Sequence, residues 1–300
     1  MWDNGRYYEP PVNPRNLSRM INVTPHHRSA IALKKNLLLG HFVEHKWLSA
    51  ETFEAYVLDF LVQGNAYMER VANRLGGVYE LRHALAQQTR VGLRAGEFIW
   101  IDDKWQETPF RIGSVAHLRE RDPAQEVYGV PEYLAALQSA LLNEAATLFR
   151  RRYYINGAHA GFIMYISESG LQDDDADDIQ DAVESAKGIG NFKNLFLHIP
   201  GGKKDGVQIL PISEVAAKDN FTEVKNTTRD DVLAGWRTPP QIMGVVPANA
   251  GGFGDVGRAS ETFFRNEIVP LQKRIASHLN RWAGEDVVRF ENPAPVGAGA

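Results

Sequence analysis

Residues 252–257, Gly252-Phe253-Gly254-Asp255-Val256-Gly257, satisfy the GxGxxG spacing, which lets a backbone turn tightly and lie against a pyrophosphate. That chemistry also needs a strand directly before the first glycine and a helix packed on a parallel sheet after the last. Pro247-Ala248-Asn249-Ala250-Gly251 stands there instead, so dinucleotide binding is not expected. Asp173, Asp175, Asp177, Asp181 and Glu184 fall at the spacing of a calcium loop. The sixth position holds Asp178 where the sharp turn needs glycine, so the run Asp173, Asp174, Asp175, Asp177 and Asp178 reads as the acidic first turn of a helix continuing to Gly188. His26, His27, His117, His159 and His198 are scattered over different elements and read as structural or surface residues. GxSxG, HExxH and GxxxxGK[ST] are all missing. No catalytic group, metal or cofactor is expected, and the enzyme alternative is a nucleotide-binding protein that uses 252–257.

The chain has 300 residues, 44% of them hydrophobic, which suits one sizeable core or two modest domains. It contains no cysteine, which excludes disulfides and thiol chemistry and fits a reducing cytosol. No apolar run is long enough to cross a bilayer, and the N-terminus lacks signal-peptide order. A net charge of −4 argues against a protein that wraps nucleic acid tightly, because tight binders neutralise many phosphates.

Pro10, Pro11, Pro14 and Pro25 predict an extended arm over 1–25. Ser49 caps a predicted helix with Phe53, Val57, Phe60 and Leu61 on its buried face, ending at Gly64. Strands are predicted at 67–71 and 78–81 around the turn 73–77, and again at 98–101 and 115–118. Pro131 opens a helix to about Tyr154, with an apolar stripe of Leu134, Leu137, Leu141, Ala145 and Leu148. Arg150, Arg151 and Arg152 crowd its last turns, where positive charge suits exposed carbonyls; a capped surface helix satisfies that charge by itself. Residues 162–212 read as strands at 162–166, 195–199 and 207–212 around the acidic helix. A final helix carries Phe264, Ile268, Leu271, Ile275, Leu279 and Trp282 on one side, with a kink expected at Pro270.

Two segments carry a family resemblance. Arg150-Arg151-Arg152-Tyr153-Tyr154-Ile155-Asn156-Gly157-Ala158-His159-Ala160-Gly161 is one; Arg237-Thr238-Pro239-Pro240-Gln241-Ile242-Met243-Gly244, followed by a glycine-rich loop and a long helix to Trp282, is the other. Together they resemble the signature of the P2-like, PBSX-type tailed-bacteriophage portal proteins. The likeness runs from Met1-Trp2-Asp3-Asn4-Gly5-Arg6-Tyr7-Tyr8 to about Phe290, and Asn266-Glu267-Ile268-Val269-Pro270-Leu271 follows the family pattern.

The resemblance implies an α+β portal fold with wing, helical stem and clip regions, assembling into a homo-oligomeric ring, twelve-fold in the family. On that pattern 1–25 is an N-terminal arm, 26–130 the wing, 131–160 a stem helix and connection, and 161–212 the clip. The returning stem helix occupies 213–244, the channel loop 245–257, a kinked helix toward the crown 258–290 and a loose tail 291–300; family members extend beyond both ends. The implied channel-loop residues are Pro247, Asn249, Gly251, Gly252, Phe253, Gly254 and Asp255. Residues 246–257 contain no Lys or Arg, which suits sliding DNA. Arg150, Arg151 and Arg152 are implied at the stem or subunit interface, and Asp173, Asp174, Asp175, Asp177 and Asp178 at a partner surface of the clip. The implied partners are other copies of the chain, double-stranded DNA in the channel, the terminase large subunit, and capsid, scaffold and head-completion or neck proteins, with no membrane. The implied place is the portal vertex of the virion, after assembly in the host cytoplasm. A monomeric capsid-associated adaptor is the alternative.

Overall fold

The computed structural model describes residues 2–155, 162–166, 207–211, 215–245 and 255–292. They belong to two units, Met1–Ala140 with Asp230–Ala300, and Leu141–Arg229.

In the first unit, Asn13 turns the chain out of its extended start. Its side-chain oxygen accepts from the Arg15 N–H, and Pro14 opens helix α1 (Pro14–Met20). Thr24 does the same for α2 (Pro25–Leu39), accepting from the His27 N–H at 3.1 Å. The arm expected over 1–25 is therefore extended only in part. Both prolines occupy first helical positions, where the missing N–H would have had no intrahelical acceptor and the fixed φ is already helical. After the short strand β1 (Phe42–Val43), α3 (Ala50–Gln63) runs between the caps read from the sequence. Ser49 Oγ accepts from the Thr52 N–H, and Gly64 closes the helix at φ 66°.

The strands β2 (Asn65–Ala72), β3 (Val78–Ala84), β4 (Thr89–Val91), β5 (Phe98–Ile101), β6 (Glu107–Pro109) and β7 (Val115–Arg119) form two antiparallel three-stranded sheets, ordered β3-β2-β7 and β4-β5-β6. Period-2 patterning located β2, β3, β5 and β7. It missed β4 and β6, which are three residues each and too short to show alternation. The main core packs α2, α3 and the C-terminal helices with the first sheet, around fully buried Leu38, Phe53, Val57, Ile275 and Leu279. β10 (Arg289–Phe290) pairs with β1 and ties the end of the chain to the start of that core.

A 3-10 turn (Glu132–Ala136) leads into α4 (Leu137–Ile155). The expected leucine stripe is corrected here. The buried side chains along this stretch are Tyr133, Ala136, Ala140, Asn143 and Ala146, whereas Leu142, Leu148 and Phe149 are 52%, 46% and 51% exposed. The reason is close helix approach. A Cβ added to Gly235, the last residue of α5 (Val215–Gly235), would lie 2.6 Å from Ala136 Cβ, so large side chains cannot occupy that face.

In the second unit the facing residues of α4 and α5 are joined by polar contacts. Asn143 Nδ2 donates to Thr228 Oγ1 at 2.7 Å, and Lys225 Nζ donates to Asn143 Oδ1 and Thr147 Oγ1, each at 2.7 Å. The strands expected at 162–166 and 207–212 are found as β8 (Phe162–Ile166) and β9 (Val207–Pro211), paired antiparallel with Phe162 opposite Pro211. The expected acidic helix, its Asp173, Asp174, Asp175, Asp177 and Asp178, and the strand at 195–199 lie outside the described residues, as do His159 and His198.

Two histidines of the first unit are held neutral by their surroundings. Trp236 Nε1–H, a donor only, points at His27 Nδ1 at 3.0 Å, so the ring hydrogen of neutral His27 sits on Nε2. Burial lowers its pKa from 6.5 to about 4. His117 Nε2 faces Asn65 Oδ1 at 2.9 Å, its ring stacked on Tyr67. Burial, with the Arg119 and His278 charges, takes its pKa down to about 3. Between 6.5 and these values the unfolded chain binds protons that the folded chain refuses, so stability falls as the solution is acidified. Thermal unfolding followed from pH 7 to pH 5 should show a loss approaching about 1.4 kcal/mol per pH unit for each histidine. His117→Gln, which keeps a donor for Asn65, should flatten that slope.

Candidate functional site

The segment 237–244 closes α5 by an unusual route. The Arg237 N–H donates to Ala234 O at 2.8 Å and the Thr238 N–H to Leu233 O at 2.9 Å, the paired bonds of a Schellman cap. The residue between them must be left-handed, a position that favours glycine, yet Arg237 holds it at φ 51°. A side chain there costs on the order of 1–2 kcal/mol. Its guanidinium explains why it is tolerated. Nε donates to Glu267 Oε1 at 2.8 Å and a terminal nitrogen to Glu132 Oε2 at 2.6 Å. Pro239 and Pro240 then start a 3-10 turn (Pro240–Met243), which Gly244 ends at φ 71°.

Glu267 is the centre of the cluster. Its second oxygen meets Lys34 Nζ, on α2, at 3.2 Å, and the Lys34 side chain is only 4% exposed. Burial alone would raise the Glu267 pKa, but the Arg237 hydrogen bond and the Lys34 charge outweigh it and hold the carboxylate ionised. Burial likewise lowers Lys34 against the opposing pull of Glu267. Lys34 also stands 5.5 Å over the Trp236 ring, which stacks on Tyr133 at 5.4 Å. The cluster thus joins α2, the approach to α4, the end of α5 and the last helical run. Its acidic members lie 135 residues apart, from Glu132 to Glu267, a separation without any local pattern. The available signal was an arginine standing before Thr-Pro-Pro, where a helix end ordinarily takes glycine.

The last helical run starts earlier than the sequence suggests. Asp255 Oδ1 accepts from the Arg258 N–H at 2.8 Å and caps α6 (Val256–Phe263), so Val256 and Gly257 belong to the helix and not to the loop. A π-helical turn (Phe264–Ile268) follows, with the Val269 N–H donating to Phe264 O, and α7 (Val269–Ala283) continues from it. Near Pro270, where a kink is expected, the structure shows this change of register one turn before the proline. Pro270 has no N–H to offer Asn266 O, and a π turn accommodates the surplus carbonyl.

Of the sequence-derived site residues, Arg150, Arg151 and Arg152 sit exposed at the end of α4 in the second unit, and Asp255 is the cap just described. Pro247, Asn249, Gly251, Gly252, Phe253 and Gly254 lie outside the described residues. No group of three or more potential metal ligands gathers among the described residues, and no described helix is long and apolar enough to cross a membrane.

The sequence matches the family model described as phage portal protein over residues 35–293. This chain belongs to the phage portal protein family. It is 46% identical over 289 residues to the probable portal protein of Escherichia phage P2, covering 96% of this chain and 84% of that protein. To the probable portal protein of Haemophilus phage HP1 it is 33% identical over 284 residues, covering 93% and 82%. Its fold matches a chain in the neck of a native gene transfer agent particle, computed with C12 symmetry, with a TM-score of 0.71 at 18% identity, covering 97% and 87%. The α+β portal fold, the ring and the capsid-vertex channel follow for this portal, and the cluster around Glu267 is an internal brace of its subunit.

The brace predicts a specific stability pattern. Glu267→Ala leaves the buried Lys34 ammonium unpaired and should cost about 3 kcal/mol in urea unfolding. Lys34→Met combined with Glu267→Leu replaces the pair by apolar side chains and should recover most of that loss.

Proposed function

We propose that this portal acts as a passive conduit and docking plate, with a separate terminase supplying ATP hydrolysis and DNA cutting while the virion assembles in the host cytoplasm. The family match across 35–293 carries this reading. In it, 26–130 is the wing, 161–212 the clip that meets terminase and neck proteins, and 245–255, the expected loop 245–257 less the two residues that open α6, narrows the channel. The run Asp173, Asp174, Asp175, Asp177 and Asp178 offers a basic partner an oriented encounter more than added affinity. Pro247, Asn249, Gly251, Gly252, Phe253, Gly254 and Asp255 touch passing DNA transiently, without a cation that would trap phosphate. Phe253 rests on protein, because duplex DNA exposes no base face for stacking.

Ring closure on this reading uses α4. Leu142, Ala145 and Phe149 stand at i, i+3 and i+7, one face of the helix, with exposed Leu148 beside them. A neighbouring copy would remove that apolar strip from water, and Arg150, Arg151 and Arg152 extend it with charge for the same neighbour or for DNA. Subunit mass in solution and particle images test the assignment. Twelve-fold rings are expected for the parent chain, and folded subunits that no longer close are expected for Leu142→Asp with Phe149→Asp. Normal rings from the double variant would remove α4 from the interface, and a parent chain that stays monomeric at every concentration would favour the adaptor alternative.

Shortening 247–254 should leave ring assembly intact while reducing the length or retention of packaged DNA. Normal packaging and retention by that variant would take the segment out of the channel.

A further inference from the structure

We propose that the π turn at Phe264–Ile268 is a two-register joint, in which α6 can step by one residue against a fixed α7, and that Glu267 holds it in the register seen here. A π turn is one residue in excess of an α-helix, so the helix can contain it or give it up by moving one flank. Giving it up requires the Val269 N–H to exchange Phe264 O for Arg265 O. The flank that moves would turn by about 100° and advance by about 1.5 Å.

The two flanks are anchored unequally. α7 is fixed by fully buried Ile275 and Leu279, by Arg274 bonded to Glu120 at 2.7 Å and to Arg119 O at 2.6 Å, and by the reciprocal Gln272–Asn292 amide pair. α6 buries only Phe263, which is 3% exposed. A one-residue step brings Phe264 into the Phe263 slot and Ser260 into the half-buried Ala259 slot. Phenylalanine replaces phenylalanine and a small residue replaces a small residue in those two slots, but the step also carries Phe263 to the exposed place of Thr262 and Arg265 toward the half-buried place of Phe264, whose ring meets His41 at 5.1 Å, so the core itself favours the register seen here. Glu267 adds to that preference. It lies inside the turn, and its two oxygens meet Arg237 at 2.8 Å and Lys34 at 3.2 Å.

α6 begins immediately after the residues assigned to the channel, so a step would carry the C-terminal root of that segment. This consequence rests on the proposed channel assignment, whereas the joint itself does not.

The chain has no cysteine, so single introduced thiols report without background. Labelling rates of Ala259→Cys, Ser260→Cys and, on α7, Ala276→Cys would be compared in the full chain with and without Glu267→Gln. Weakening the charged contacts should accelerate labelling at 259 by roughly tenfold and slow it at 260, leaving 276 unchanged. Deleting exposed Asn266 removes the surplus residue, so it should return the Glu267→Gln pattern to that of the parent. Arg237→Gln, which releases one of the two cations, serves the same test if Glu267→Gln does not fold.

Acceleration at 259 and 260 together, acceleration at 276, or no change at 259 would overturn the joint. Packaged DNA length, measured on the same variants, reads the channel assignment separately: inverted labelling with unchanged packaging would support the joint and detach it from DNA.

Discussion

Much of the first unit depends on one carboxylate. Glu267 neutralises Lys34, which lies almost wholly out of water, and Arg237, which occupies a backbone conformation that favours glycine. Each cation would be costly alone: the first through desolvation, the second through the steric conflict of its Cβ. Bringing them to one partner satisfies both, and Glu132 takes up the remaining guanidinium donor. The brace therefore sets where α5 ends and the chain departs, and it does so from a helical turn whose register is itself irregular. Tyr133, His27 and Trp236 pack beneath it as a ring cluster, with the Trp236 N–H given to His27.

A subunit of this kind suits a vertex channel. A ring through which DNA slides needs firm internal bracing and weak contact with its cargo. Within the subunit Lys34, Arg237 and Arg274 are each paired with a carboxylate, and the chain as a whole carries a net −4. Large apolar side chains meanwhile remain outside on α4 while alanine, asparagine and glycine occupy its inner contacts. Leu142 and Phe149 are 52% and 51% exposed in the single subunit.

Local chemistry was legible wherever one short stretch of chain contained its own cause. Ser49 and Gly64 bound a helix in both the sequence and the structure, and Asn73 to Gly77 turn a hairpin. The apolar side of the last helix, Ile268, Ile275 and Leu279, is buried as its spacing suggests. Proline was misread where its position within an element mattered: Pro14 and Pro25 start helices. Leu148 was misread because spacing put it on one stripe with Leu134 and Leu137, whereas the inner contacts of α4 are made by Ala140, Asn143 and Ala146.

The sequence by itself determined the family, through the likeness carried by 150–161 and 237–244, and the α+β class and the order of most elements, which rest on residue type and local period and survive without a fold. Only the tertiary structure decided which face of α4 is inside, why an arginine stands at a glycine position, and where the register of the last helix slips. Those are decided by distances between residues far apart in sequence: Lys34, Glu132, Arg237 and Glu267 have no pattern along the chain and acquire one only when four elements converge on the same few ångströms.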